Sequence, residues 1–174
     1  MNKTATIYTH SKPFQLERGE VLNALQIAYH TYGELNGDKS NVVWVFHALT
    51  ANSDALDWWA GLFKDNCAIN PRKHFIVCAN ILGSTYGTTG PMSEMPDSNE
   101  LYYSAFPRIT IRDMVSAHQL LQEYLGITKI AIGLGGSMGG FQTYEWAVQA
   151  PDLFEKIILV ATSPRETPWR ISIH

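Results

Sequence analysis

The chain has 174 residues, 45% hydrophobic and 17% charged, which fits one packed core and argues against disorder, because five Trp and eight Tyr bury enough surface to offset chain entropy. Thirteen basic against sixteen acidic residues give a net charge of −3, so no broad basic field attracts nucleic-acid backbones or anionic lipid. Cys67 and Cys78 are too few for a disulfide framework, no Cys/His cluster has zinc spacing, and the apolar runs fall far short of the roughly 18 residues of a membrane span, so a soluble protein of the reducing cytoplasm, without nucleic-acid or membrane partners, is expected.

In chain order, the first forty residues predict an antiparallel hairpin: Ala5 to Tyr8, Phe14 to Leu16, a turn at Arg18-Gly19-Glu20, then Leu25 to Tyr32 with alternating, β-rich residues. Asn41 to Phe46 is a near-continuous apolar run, as expected of a strand covered on both faces in a mostly parallel sheet. His47-Ala48-Leu49-Thr50 stands at its carboxyl end. His74 to Leu82 predicts a second buried strand, running into an irregular stretch from Gly83 to Pro107. Loops of that length inside compact domains tend to be functional or disordered. Thr110 and Asp113 have capping-box spacing, and Met114, Ala117, Leu121 and Leu125 recur at helical intervals up to Gly126. Lys129 to Leu134 predicts a third buried strand, which breaks into Gly135-Gly136-Ser137-Met138-Gly139-Gly140. A helix from about Met138 to Ala150, a strand from Lys156 to Ala161 and a short tail to His174 complete the chain. Alternating β and α after an antiparallel hairpin indicates an α/β domain with a mostly parallel sheet.

Gly135-Gly136-Ser137-Met138-Gly139 satisfies G-x-S-x-G between a buried strand and a helix, the context of a nucleophile elbow. Chance alone yields the string in about one chain of this length in twenty, so its placement carries the weight. A turn this tight strains the backbone of Ser137 and requires Gly135 and Gly139 to lack side chains. Ser137 would then stand at a helix N-terminus, with the Met138 N–H as one oxyanion donor. The second donor is expected in the loop after Phe46, at Leu49, which leaves His47 a structural role. A phosphate loop is a competing reading, but neither G-x-G-x-x-G nor G-x-x-x-x-G-K-[S/T] is met. A plain structural glycine turn is the other.

The remaining candidates divide similarly. Arg112 and Asp113 at a helix start could touch substrate or simply cap the helix; Trp58, Trp59 and Trp146 favour packing; Tyr102, Tyr103 and Phe106 could line a pocket mouth or pack the loop. A serine nucleophile also needs a base. After Ser137 the single histidine is His174, and past the following helix the acids are Asp152, Glu155 and Glu166. A hydrolase of this type takes its acid and histidine from loops after later strands, so residues 1–174 are expected to form one incomplete, nucleophile-bearing domain with negligible turnover of its own.

At His47-Ala48-Leu49-Thr50, Gly87 to Pro91, Phe106-Pro107 through Thr110-Ile111-Arg112-Asp113-Met114-Val115, Gly135 to Gly140 with Glu145-Trp146-Ala147, and Pro168-Trp169, the chain closely resembles the homoserine O-acetyltransferase family. The similarity runs from about Phe14 to the end. It implies an α/β-hydrolase fold, truncated before the last strands and the helical lid, and a ping-pong reaction of methionine biosynthesis. Ser137 would take an acyl group from acetyl-CoA or succinyl-CoA, with Leu49 and Met138 N–H groups as the oxyanion hole, and the L-homoserine hydroxyl would accept it. No metal or bound cofactor is implied, and full-length members pair as homodimers through the lid. Ala51 departs from the family's usual glycine, and Met92 to Ser104 departs from its usual loop pattern, which leaves the donor open between acetyl and succinyl. A related serine esterase or thioesterase, or a noncatalytic α/β domain, are the alternatives.

Overall fold

The computed structural model describes residues 5–96 and 98–172. β1 (Thr6–His10) leads into a small ribbon of β2 (Phe14–Gln15) and β3 (Val21–Leu22), after which β4 (Leu25–Tyr32) returns antiparallel along β1. The predicted single hairpin is therefore two. Gly19, at φ 96°, turns the ribbon so that Phe14, Leu16 and Leu22 plug the core while Gln15 and Val21 face outward.

β5 (Val42–Phe46), a one-turn α1 (Ala55–Trp58), β6 (Phe75–Ala79), α2 (Ile111–Tyr124), β7 (Ile130–Gly136), α3 (Met138–Gln149), β8 (Phe154–Val160) and a terminal α4 (Pro168–Ser172) follow. The strands lie in the order β1-β4-β6-β5-β7-β8, with β5, β6, β7 and β8 parallel and β4 antiparallel to β6. Every residue of β5 is buried. The β5 side chains divide by parity: Trp44 and Phe46 join Val115, Leu121, Ile130 and Trp146 on the face covered by α2 and α3, whereas Val43 and Val45 join Ile76, Cys78 and Leu134 on the other.

Two boundaries moved relative to the sequence expectation. β7 continues through Gly135 and Gly136, because both residues pair with Leu159 and Val160 of β8, and β8 starts at Phe154. The α4 helix, in the predicted tail, carried no periodic signal. The capping box of α2 forms as expected: Thr110 Oγ1 accepts from Asp113 N at 3.3 Å, and Asp113 Oδ2 accepts from Thr110 N at 2.8 Å.

The long segment after β6 is ordered by the main sheet. Asn80 N donates to the Ala28 carbonyl, and Thr89 exchanges bonds with Gln26, its N donating to the Gln26 carbonyl and its Oγ1 accepting from Gln26 N. The loop thus extends the β4 ladder past the end of β6. No described helix is long and apolar enough to cross a membrane.

Candidate active site

The chain order β5, β6, β7 becomes the spatial order β6, β5, β7, so the chain reverses direction across the sheet at β5 and a crevice opens at the carboxyl ends of β5 and β7. Phe46 stands opposite Gly135 in the ladder, which makes the His47–Thr50 loop and the Ser137 turn neighbours.

Ser137 has φ 52° and ψ −119°, in the left-handed region that a non-glycine residue enters only when its surroundings enforce it. They do so here. Its N–H donates to the Val160 carbonyl at 2.9 Å, and its carbonyl accepts from Gly140 N at 2.9 Å. A Cβ on Gly135 would lie 2.2 Å from Thr143 Oγ1, and one on Gly139 would lie 2.0 Å from the Phe46 carbonyl oxygen. Both glycines are therefore sterically required, as expected, while a Cβ on Gly136 would meet nothing closer than 3.9 Å. Met138 opens α3, so its N–H belongs to the donors that a helix leaves without an internal acceptor.

Ser137, Met138 and Leu49 border one cavity of about 390 Å³, completed by Ile111, Phe141, Arg165 and Glu166. Leu49 is 68% exposed at its edge. A larger groove of about 610 Å³, rich in Ser and Thr hydroxyls, lies between β4 and the 84–102 segment and shares no lining residue with it. The smaller cavity is where chemistry can occur, because it combines a hydroxyl, a helix N-terminus and largely apolar walls.

The Leu49 loop is fixed by buried polar contacts. His47 accepts from Ile81 N at Nε2, 3.1 Å, which puts the proton on Nδ1, where it donates to the Ala48 carbonyl at 2.8 Å. Burial lowers the His47 pKa to about 4, so the ring stays neutral at neutral pH. Farther along, Ser53 N donates to Asn80 Oδ1 and Asn80 Nδ2 donates to Ser53 Oγ, both at 2.8 Å. Tyr32 OH donates to Asp54, and Trp58 Nε1 donates to the Asn52 carbonyl at 2.8 Å. The expected structural role of His47 holds. Ser53, Asn80 and Asp54 were missed by sequence reasoning, since isolated polar residues in loops carry no periodic signal.

Arg112 bridges Glu17 at 2.5 Å and Glu145 at 2.9 Å, and Asp113 accepts from Glu17 N and Thr110 N, so both tie elements together and lie outside the cavity lining. Trp146 is buried against Trp44 and Phe46, and Trp58 stacks on Trp59. Tyr102 packs edge-on against Phe106 and borders the larger groove, while Tyr103 is exposed. No described histidine lines the Ser137 cavity, and His174 lies outside the described residues. Arg165 and Glu166 were not singled out as cavity residues by sequence: they reach it through the turn after β8, where Ala161 has φ 51°. Among the described residues no group of three or more His, Cys, Asp or Glu is arranged to hold a metal ion.

Residues 41–171 match the family described as the alpha/beta hydrolase fold. The chain is 48% identical over 166 residues to a homoserine O-acetyltransferase of Nostoc punctiforme, covering 95% of this chain and 47% of that protein. To that of Moorella thermoacetica it is 44% identical over 181 residues, covering 98% and 48%. It spans about half the length of these curated relatives. Among solved structures, esterase E22 superposes with a TM-score of 0.87 at 28% identity, covering 95% of this chain and 49% of that one. A homoserine O-acetyltransferase from Bacillus anthracis superposes at 0.85 with 29% identity, covering 96% and 49%.

Proposed function

The chain belongs to the alpha/beta hydrolase fold family, and from that membership we propose that it carries the nucleophile-bearing part of an acyltransferase that moves an acetyl group from acetyl-CoA to the hydroxyl of L-homoserine, a cytoplasmic step of methionine biosynthesis. The observation that carries this reading is the strained backbone of Ser137 at a strand-to-helix turn, bordering one cavity with Leu49 and Met138. Strain of this kind costs about 1–3 kcal/mol and persists where a site requires it.

Ser137 Oγ attacks the thioester carbonyl, and the oxygen that gains negative charge lies between the N–H groups of Leu49 and Met138 at the positive end of α3. Collapse expels the coenzyme A thiol and leaves an acetyl ester on Ser137. The homoserine hydroxyl then attacks that ester, forms O-acetylhomoserine and returns the proton to Ser137. A general base must carry the Ser137 proton to the leaving thiol in the first half-reaction and the homoserine hydroxyl proton to Ser137 Oγ in the second. His47 is unsuited, because both ring nitrogens are engaged and burial disfavours its cation. The resemblance assigns that task to a histidine and an acid of the full-length enzyme. No resident cofactor enters these steps.

Hydrolysis of esters or thioesters is the second reading, favoured by the superposition on esterase E22, since an acyl-serine gives hydrolysis when water takes the acyl group and transfer when homoserine takes it. The test is to incubate the complete protein carrying these residues with acetyl-CoA and L-homoserine and to follow thiol release, O-acetylhomoserine and the intact protein mass. O-acetylhomoserine and a protein heavier by one acetyl group are expected, both lost in S137A, with turnover reduced at least about a thousandfold. Acetate as the sole product, from acetyl-CoA and from an added acetyl ester alike, establishes the hydrolytic reading instead.

A further inference from the structure

The loop that carries Leu49 leaves the sheet where the β5–β6 ladder ends, at the pair Val45 and Cys78. Its tip has little to hold it. Leu49 and Thr50 are exposed, and the turn is closed by Ala51 N donating to the Ala48 carbonyl at 3.0 Å, a bond that leaves the Leu49 N–H outside it. The place of that N–H is therefore set by the two ends of the loop. Both are tied to consecutive residues after β6: Ile81 N donates to His47 Nε2, and the Asn80 amide grips both the backbone N–H and the hydroxyl of Ser53. Asn80 is itself immobilised. Its N–H donates to the Ala28 carbonyl at 2.8 Å, its carbonyl accepts from Thr88 Oγ1 at 2.9 Å, and its Nδ2 also donates to the Tyr86 carbonyl at 2.8 Å. The side chain thus uses its acceptor and both donors, at 3% exposure, and Ser53 Oγ carries the network on to His30 Nδ1 of β4, 2.8 Å away. A buried polar network satisfied in this way holds its members in one arrangement.

We infer that Asn80 is a positioning residue for the oxyanion hole: by fixing the exit of the loop at Ser53 it holds the Leu49 N–H where negative charge develops, an inference that rests on the acyl-serine reading above. A preorganised donor stabilises that charge because it is in place beforehand, and a donor that has to be brought there loses part of its effect. Asn80 does not line the Ser137 cavity, so its removal displaces the Leu49 N–H and leaves the walls that meet the substrates as they are. Formation and breakdown of the acyl-serine both pass through a tetrahedral oxyanion in the same hole. Both half-reactions therefore slow together when Asn80 is lost, which lowers kcat and leaves the KM values nearly unchanged.

The test compares the complete wild-type protein with N80A and N80D, using acetyl-CoA and L-homoserine, with kcat taken per folded molecule as counted by near-ultraviolet circular dichroism. Deleting an oxyanion donor costs about a hundredfold to a thousandfold in kcat, and displacing one is expected to cost N80A about tenfold to a hundredfold. Both KM values should stay within about threefold of the wild type. N80D keeps an acceptor for Ser53 N and is expected to recover part of the lost kcat. Where N80A does not fold, N80S replaces it, since its hydroxyl is one bond too short to reach Ser53 and the same fall in kcat is expected. A kcat per folded molecule equal to that of the wild type in N80A or N80S overturns the inference, whatever the melting temperature does, and leaves the acyl-serine reading standing. A raised KM at unchanged kcat, or an N80D as slow as N80A, overturns it as well. If the wild type releases acetate in place of O-acetylhomoserine, the same comparison is read on acetate, because the acyl-serine is common to both reactions. A wild type that forms no acetyl-serine, by intact mass, with either substrate class overturns the acyl-serine reading and this inference with it.

Discussion

Within the five residues from Gly135 to Gly139, two glycines are fixed by contact and one is not. A methyl group on Gly139 has to share space with the Phe46 carbonyl, whereas one on Gly136 points toward Trp59 at 3.9 Å. G139A is therefore expected to destabilise the complete protein by about 3 kcal/mol or more, and G136A by well under 1 kcal/mol, measured by urea denaturation. Equal effects would show that the turn is tolerant of side chains. This much was legible in the sequence, because G-x-S-x-G encodes the steric demand directly. The charged lining was not, since Arg165 and Glu166 lie in an irregular segment after β8 that begins with a positive φ at Ala161, a residue type that gives no warning of one.

At the scale of elements, α2 and α3 meet through a buried contact that no apolar pattern encodes. His118 Nε2 lies 3.0 Å from Gln142 Oε1, and the ring stacks on Trp146 with 6.0 Å between centroids. Burial lowers its pKa to about 4, as it does for His47 at the end of β5. A folded pKa below the unfolded value of about 6.5 means that the unfolded chain binds more protons in between. The stability tied to both neutral rings is thus fully present above about pH 6.5 and is lost as pH falls toward 4. The melting temperature of the complete protein should drop over that window, and H118Q should flatten the drop; a profile as steep as that of the wild type would assign acid sensitivity elsewhere. The helix itself was legible from its capping box and its Met114-to-Leu125 repeat. Its buried histidine was not, because periodicity marks which residues face inward and says nothing of how a polar one is satisfied there.

Across the whole molecule, the parallel strands were legible one by one, but their spatial order was not. Apolar runs identify buried strands without recording which neighbours they take, and here β6 and β7 flank β5 from opposite sides. That order leaves β8, among the described residues, with a partner on one side, and exposes Ile157, Ile158 and Val160. An uncovered apolar edge recruits other chains. The 174-residue chain expressed by itself should self-associate in light scattering, and I158K should reduce that association; a monodisperse monomer would count against an open edge. A last consequence concerns folding. The pairing of Phe46 with Gly135, and the closeness of Gly139 to the Phe46 carbonyl, make the assembly of the site and the closure of the central sheet one event. Leu49 leaves the ribosome long before Ser137, so it waits through the synthesis of β6 and α2 without its counterpart. A chain interrupted before β7 docks has no strained serine at all, and the hydroxyl proposed as the nucleophile is withheld until the core that confines it exists.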